Sequence, residues 1–159
     1  MEIQISQITP DDLTSILAAA QDFWGASTVV VHGELYDLTR LPGFKVVVSG
    51  QLAGFLHYQI RDSACEILTL ASLREGKGIG SALLQQLENF ARGKGVRLIH
   101  LVTTNDNLHA LGFYQRRGYH LAAVYPGQVE ISRKLKPAIP MIGDNEIPIR
   151  DEIRLEKEL

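Results

Sequence analysis

The segment Glu75-Gly76-Lys77-Gly78-Ile79-Gly80-Ser81 constrains this chain more than any other. It follows an apolar run, Cys65 to Leu73. It precedes a stretch from Ile79 to Arg92 in which Ile79, Leu83, Leu87 and Phe90 fall on one helical face. A strand, a glycine-rich turn and an amphipathic helix are therefore expected in that order. A helix N-terminus carries free backbone N–H groups and a partial positive charge. Glycines let an anion approach those groups without a Cβ in the way. The expected ligand is a phosphate or pyrophosphate; the alternative is a turn that only caps a helix. A dinucleotide fingerprint is excluded, because counting G-x-G-x-x-G from Gly76 puts Ser81 at the third glycine, and no acidic residue ends the later run Ile99-His100-Leu101. A P-loop is excluded as well, because no Lys follows the last glycine at the required spacing.

The rest of the chain alternates strand and helix signals. Glu2 to Ile8 reads as a strand. Thr9-Pro10-Asp11-Asp12 reads as a helix start, with Thr9 as cap and Pro10 in the first turn. Leu13, Ile16, Leu17, Ala20 and Trp24 share a helical face that ends at Gly25. Phe44 to Ser49 and Leu52 to Ile60 form a hairpin pattern around Gly50-Gln51. Val96 to Val102 suits a strand buried on both faces. Asn107 to Arg117 is a short helix, and Tyr119 to Tyr125 a strand. Residues 126–148 hold four of the six prolines, so they are expected to be an irregular connection with a short helix over Glu130 to Lys136. Residues 149–159 are expected to return as a terminal strand. The expectation is one domain over 1–159, of mixed α/β class.

Charge and cysteine content narrow the functional classes. Sixteen Lys and Arg face 18 Asp and Glu, a formal net charge of -2. A near-balanced surface gives no reason to expect nucleic acid as a partner. No apolar run approaches the roughly 20 residues of a membrane helix, so no membrane partner is expected. The single Cys65 allows no intrachain disulfide, which with an N-terminus unlike a signal peptide favours the cytoplasm. Cys65 itself reads as a small buried hydrophobe. The five histidines and Cys65 show no metal-ligand spacing, so no metal is expected.

The second informative segment is Asn107-Leu108-His109-Ala110-Leu111-Gly112-Phe113-Tyr114-Gln115-Arg116-Arg117-Gly118-Tyr119. With the glycine turn it resembles the GNAT superfamily of N-acetyltransferases. The family's first motif is a strand, then [QR]-x-x-G-x-[GA], then a helix. Its second is N-x-x-A-x-x-x-Y-x-x-x-G-[FY], and Asn107, Ala110, Tyr114, Gly118 and Tyr119 fill its places. The resemblance covers about residues 1–125. Two positions depart from it: Glu75 stands where Gln or Arg is usual, with Arg74 one place earlier, and Ser72 stands where many members have proline. Residues 126–159 match no family motif.

The resemblance implies a mostly antiparallel sheet of about seven strands with helices on both faces, splayed between its fourth and fifth strands to admit acetyl-CoA. It implies that residues Gly76, Lys77, Gly78, Ile79, Gly80 and Ser81 cradle the pyrophosphate, and that the backbone N–H at or near Leu70 meets the thioester carbonyl. It implies Asn107 as a hydrogen-bond partner of the pantetheine arm, and Tyr114 as the acid that protonates the CoA sulfur. A phenol with pKa about 10 is protonated at neutral pH and suits that role; packing is its alternative reading. Asn107 also suits a helix cap.

For the base, the resemblance points to Glu66, four residues before Leu70. His57 is a rival on a neighbouring strand, with an intrinsic pKa near neutrality. In the 26–43 stretch, Val29-Val30-Val31 looks strand-like, while the resemblance favours helix or loop. Residues 126–148 are expected to shape the acceptor pocket or to serve as a stiff connector. The expected function is transfer of acetyl from acetyl-CoA to a primary amine by direct attack. The acceptor stays open among small amines, aminoglycoside-like drugs, polyamines and protein termini. A non-catalytic acyl-CoA sensor and an enzyme for longer acyl-CoA stand as alternatives. A homodimer is compatible with the sequence and not required by it.

Overall fold

The computed structural model describes residues 2–159. Its elements in chain order are β1 (Ile3–Gln7), α1 (Leu13–Trp24), β2 (Thr28–Val31), β3 (Glu34–Asp37), β4 (Gly43–Val48), β5 (Gln51–Arg61), β6 (Ala64–Ser72), α2 (Ile79–Gly93), β7 (Leu98–Thr104), α3 (Leu108–Gln115), β8 (His120–Tyr125), α4 (Gln128–Leu135) and β9 (Glu152–Glu158). Seven strands form one sheet in the order β1-β4-β5-β6-β7-β9-β8. Neighbours are antiparallel except β6 and β7. The expected sheet of mixed direction is present, with its helices on both faces.

Strand alternation sorts the side chains into two cores. Cys65 and Ile67 of β6, Leu56 and Tyr58 of β5, and Ile99 and Leu101 of β7 pack under α2, which contributes Ile79, Leu83, Leu84 and Leu87. Phe55 and Ala71 point the other way, against Ile16 and Ala20 of α1 and against Leu38. Cys65 is fully buried, and burial pushes its thiol up to about 12, so it behaves as the inert small hydrophobe expected.

Two local features go beyond the sequence expectations. Residues 28–37 form a two-stranded hairpin, which overturns the helix or loop that the family resemblance favoured and supports the strand-like reading of Val29 to Val31. Its turn places His32 and Gly33 both at positive φ, the backbone that matches the twist of a tight hairpin. The second feature is an extra residue in β6. His57 pairs with Thr69 while Tyr58 pairs with Ile67, so Leu68 bulges out. The bulge places Thr69 and Glu66 on the same sheet face although they are three residues apart.

The Pro-rich stretch is more ordered than an irregular connection. It holds α4, slightly longer at its start than the expected Glu130–Lys136 helix. Arg133 donates to the carbonyls of Pro140 (2.7 Å) and Ile149 (2.7 Å), which folds the following loop back on the helix. Residues 152–158 return as the expected strand, inserted between β7 and β8.

The first turn of α2 approaches the sheet through Gly54 of β5. A Cβ there would lie 2.5 Å from Ile79 Cγ2 and 2.7 Å from the Ala71 carbonyl oxygen. Gly54→Val should therefore destabilise the fold by about 1–3 kcal/mol, the usual cost of overpacking. Urea unfolding of the purified variant measures this; wild-type stability would show that α2 is not seated as described.

Candidate active site

The sheet opens where β6 and β7 part. Their pairing spans only Ala64–Ile67 against Leu98–Leu101. Beyond it, among the described residues, Leu68–Ser72 keep β5 as their only strand neighbour, and Val102–Thr104 pair with β9 alone. Leu73 N–H donates to the Ala53 carbonyl (2.8 Å), so by alternation Ala71 and Thr69 face β5. The N–H of Leu70 points the other way, into the opening.

The glycine turn sits at the same end. Gly76 and Gly78 both have φ of 71°, a conformation that L side chains resist, and Gly78 caps α2. The first hydrogen bond of α2 runs from Ala82 N–H to the Gly78 carbonyl (3.0 Å). The N–H groups of Ile79, Gly80 and Ser81 precede it and have no acceptor in an earlier turn. Lys77 and Glu75 are exposed, while the Ile79 side chain is buried in the core. Arg74 turns away to Gln51 (3.2 Å).

Ser81 carries a partner that the sequence did not announce. Its hydroxyl oxygen accepts from Arg117 Nε (3.0 Å) and Nη2 (2.6 Å). The same guanidinium donates to the Phe113 carbonyl (2.8 Å) and lies 3.7 Å from the centre of the Phe113 ring. That ring in turn packs on Gly80, where a Cβ would come within 3.3 Å of it. A fixed positive charge thus stands beside the first turn of α2. The sequence signal for it is only the position of Arg117 one residue before Gly118.

Helix α3 brings the second motif to the opening. Asn107 Oδ1 accepts from Ala110 N–H (3.1 Å) and caps the helix, which leaves its amide hydrogens without a partner among the described residues. Tyr114 is buried, packed edge-on against Phe113 and Tyr119. Its hydroxyl makes no hydrogen bond among the described residues, and burial pushes the phenol well above its ordinary pKa.

The face opposite α2 holds the candidate bases. Glu66 accepts from Gln59 Nε2 (2.9 Å), and Gln59 also donates to Tyr36 of the hairpin (3.0 Å). His57 is fully enclosed, with Nδ1 2.7 Å from Thr69 Oγ1, Nε2 without a partner, and a pKa pushed down to about 4 by burial. The structure keeps the two apart: Glu66 lines an open cavity and His57 does not. The hairpin tip closes this side. His32 meets Glu152 of β9 (3.0 Å) and packs at a tilt against Tyr125 of β8 (4.4 Å between ring centres). Among the described residues no cluster of His, Cys, Asp or Glu is placed to hold a metal, and no helix is long and apolar enough to cross a membrane.

The model of the acetyltransferase (GNAT) family matches residues 13–119. The chain belongs to that family. As a GNAT protein it is an acyltransferase by descent, and the matched span runs from α1 to the end of the second motif. It is 45% identical over 151 residues to the uncharacterised protein YxbD of Bacillus subtilis, covering 94% of each chain. Among solved structures it is similar to an IAA acetyltransferase from Bacillus cereus (TM-score 0.72, 23% identity, covering 99% of this chain and 100% of that one). It is also similar to a GNAT family acetyltransferase from Elizabethkingia anophelis with acetyl-CoA bound (TM-score 0.71, 22% identity, covering 99% and 98%).

The residues after the matched span are tied to the site. Asn105, two places before the α3 cap, accepts from the N–H groups of Arg150 (3.0 Å) and Asp151 (2.9 Å) and donates to the Pro148 carbonyl (2.9 Å). Asp106 is buried and accepts from Asp144 N–H (3.1 Å). Asn105→Ala should lower stability by about 1–3 kcal/mol, given the polar groups it strands. Hydrogen exchange should speed up in residues 141–151 more than in α2; a uniform change would show that Asn105 is not the anchor of this segment.

Proposed function

We propose that this chain is an N-acetyltransferase that moves the acetyl group of acetyl-CoA directly to a primary amine of a small molecule or a peptide. The observation that carries the reading is the end of the β6–β7 ladder at Ile67 and Leu101, which leaves the Leu70 N–H without a strand partner on that side, together with the unspent amides before Ala82 at the start of α2. A pyrophosphate fits those amides, with Arg117 supplying the charge that Glu75 lacks. The amide hydrogens of Asn107 suit the pantetheine carbonyls. The similar Elizabethkingia structure has acetyl-CoA bound, which supports acetyl-CoA as the donor in this reading.

In this reading Leu70 N–H donates to the thioester oxygen and stabilises the charge that develops there. Glu66, directly or through a water, takes a proton from the acceptor ammonium. The freed amine attacks the thioester carbon, the C–N bond forms, and the C–S bond breaks. Tyr114 gives its proton to the departing thiolate and regains one from the acetylated nitrogen, so one proton is released per turnover. His57 is too enclosed to reach an acceptor; its place is beside Thr69.

Acetyl-CoA at 100 times its Kd should stabilise the protein by about 2.7 kcal/mol, read as a rise in Tm. Pantetheine, which lacks the phosphates, should stabilise it much less. Equal effects, or none, would remove the phosphate cradle.

A second expectation concerns the acid. Tyr114→Phe keeps the ring and removes the proton. With an acceptor found by screening amines for release of CoA thiol, its kcat should fall about 10²-fold while acetyl-CoA affinity holds. A kcat near wild type would leave Tyr114 a packing residue.

A further inference from the structure

Below the point where the splay closes, the first side chains on the acceptor face come as a pair across the parallel strands. Ile67 and Leu101 are the last paired residues before the opening, and both point under α2. The next pair is Glu66 and His100. Their side chains therefore emerge together on the opposite face, at the apex of the wedge. They line one cavity of about 160 Å³ with Gln59, Arg61 and Ala64.

The charges around that cavity are unevenly matched. Arg61 reaches Glu34 of the hairpin (3.4 Å), and Arg154 of β9 reaches Glu156 (2.8 Å). Glu66 is held by Gln59 through one oxygen and has no cationic partner among the described residues. His100 Nδ1 is enclosed without a hydrogen-bond partner. An unpaired carboxylate beside an unspent imidazole is a site for a group that brings both a positive charge and a proton. The cavity is open to solvent, so an ammonium on an alkyl stem can enter it.

We infer that the Glu66–His100 cavity receives the acceptor as a primary alkylammonium, with Glu66 holding its charge and His100 taking its proton. This rests on the proposed acetyl transfer and replaces Glu66 as the proton's destination. An N–H bond of the ammonium breaks, and the proton passes to an imidazole nitrogen. The lone pair left on the amine attacks the thioester carbon, and the imidazolium later loses its proton to solvent.

The surroundings keep His100 ready as a base. Burial lowers its pKa first, and Arg154 lowers it further, while Glu66 and Glu156 oppose them. From β5 the cavity adds Arg61, and His120 of β8 stands opposite Glu156 in the β8–β9 register. His100 is therefore neutral at neutral pH and becomes occupied by a proton only in acid.

The test uses the full chain with propylamine as probe and 1-propanol as its uncharged control. The ring signals of His100 are followed by NMR and assigned with His100→Asn. Propylamine should move them, 1-propanol should not, and Glu66→Gln should abolish the response. In the free protein, the midpoint of His100 titration should fall in Glu66→Gln and rise in Arg154→Gln. With acetyl-CoA and propylamine, His100→Asn should lower kcat/KM at least tenfold and flatten its acidic limb, with acetyl-CoA affinity unchanged within twofold. His100 signals that ignore propylamine, or a midpoint that fails to rise in Arg154→Gln, overturn the site. Bound propylamine without release of CoA thiol from a wild type that binds acetyl-CoA overturns the catalytic half. If acetyl-CoA itself fails to stabilise the wild type, the fault lies with the acetyl-transfer reading, and the propylamine response still judges the cavity.

Discussion

The interaction on which the rest depends is one that stops. Four residue pairs join β6 to β7, and the ladder then ends while both strands continue. Backbone donors in a sheet interior are normally spent, and leaving one unpaired costs free energy. Here each strand stays anchored by its other neighbour, β5 for β6 and β9 for β7, so the gap is held open without unravelling the sheet. The parallel direction is what permits it. Two parallel strands need a long crossover, and that crossover is the glycine turn and α2. The glycine turn and the first turn of α2 are thus delivered to the mouth of the gap by the same connection that makes the strands parallel.

The two sheet faces divide the chemistry. Under α2 the packing is dry and dense, and Gly54 lets the helix start sit against the strands. The other face is polar toward β7 and β9, where Gln59, Glu66, His100, Arg154 and Glu156 replace the apolar residues that α1 covers further along. The bulge at Leu68 keeps both halves of β6 in phase with this division. Were Leu68 taken up in a regular pleat instead of bulging, either Glu66 or Thr69 would turn under α2.

Much of this was readable in the chain itself. The glycine spacing placed the turn before α2, and the Asn107–Tyr119 pattern placed α3 and its cap. The bulge was not readable, because one extra residue leaves an apolar run looking continuous. The hairpin was half legible: Val29 to Val31 carry a strand signal, and the hairpin they form runs against the helix or loop that the family resemblance implies. Arg117 and His100 were passed over because each matters only through register: Arg117 by reaching Ser81 across two helices, His100 by lying opposite Glu66. Spacing along one chain does not encode such pairings. In the Pro-rich stretch the prolines marked the breaks on either side of α4, while the ties that fold the following loop back, such as Arg133 to the Pro140 and Ile149 carbonyls, were not legible.

The order of the last strands has a consequence for how the molecule opens and closes. β8 touches the sheet only through β9, and β9 comes after β8 with residues 126–151 between them. β8 therefore has nothing to zip against until the later strand has slotted in beside β7. Contacts of such long sequence separation form late and are released together. Tyr125, α4 and the loop held by Asn105 ride on this pair, as does the hairpin tip through His32 and Glu152. The end of the sheet beyond β7 is thus built from late-sequence elements and latched to a hairpin from the other half of the chain.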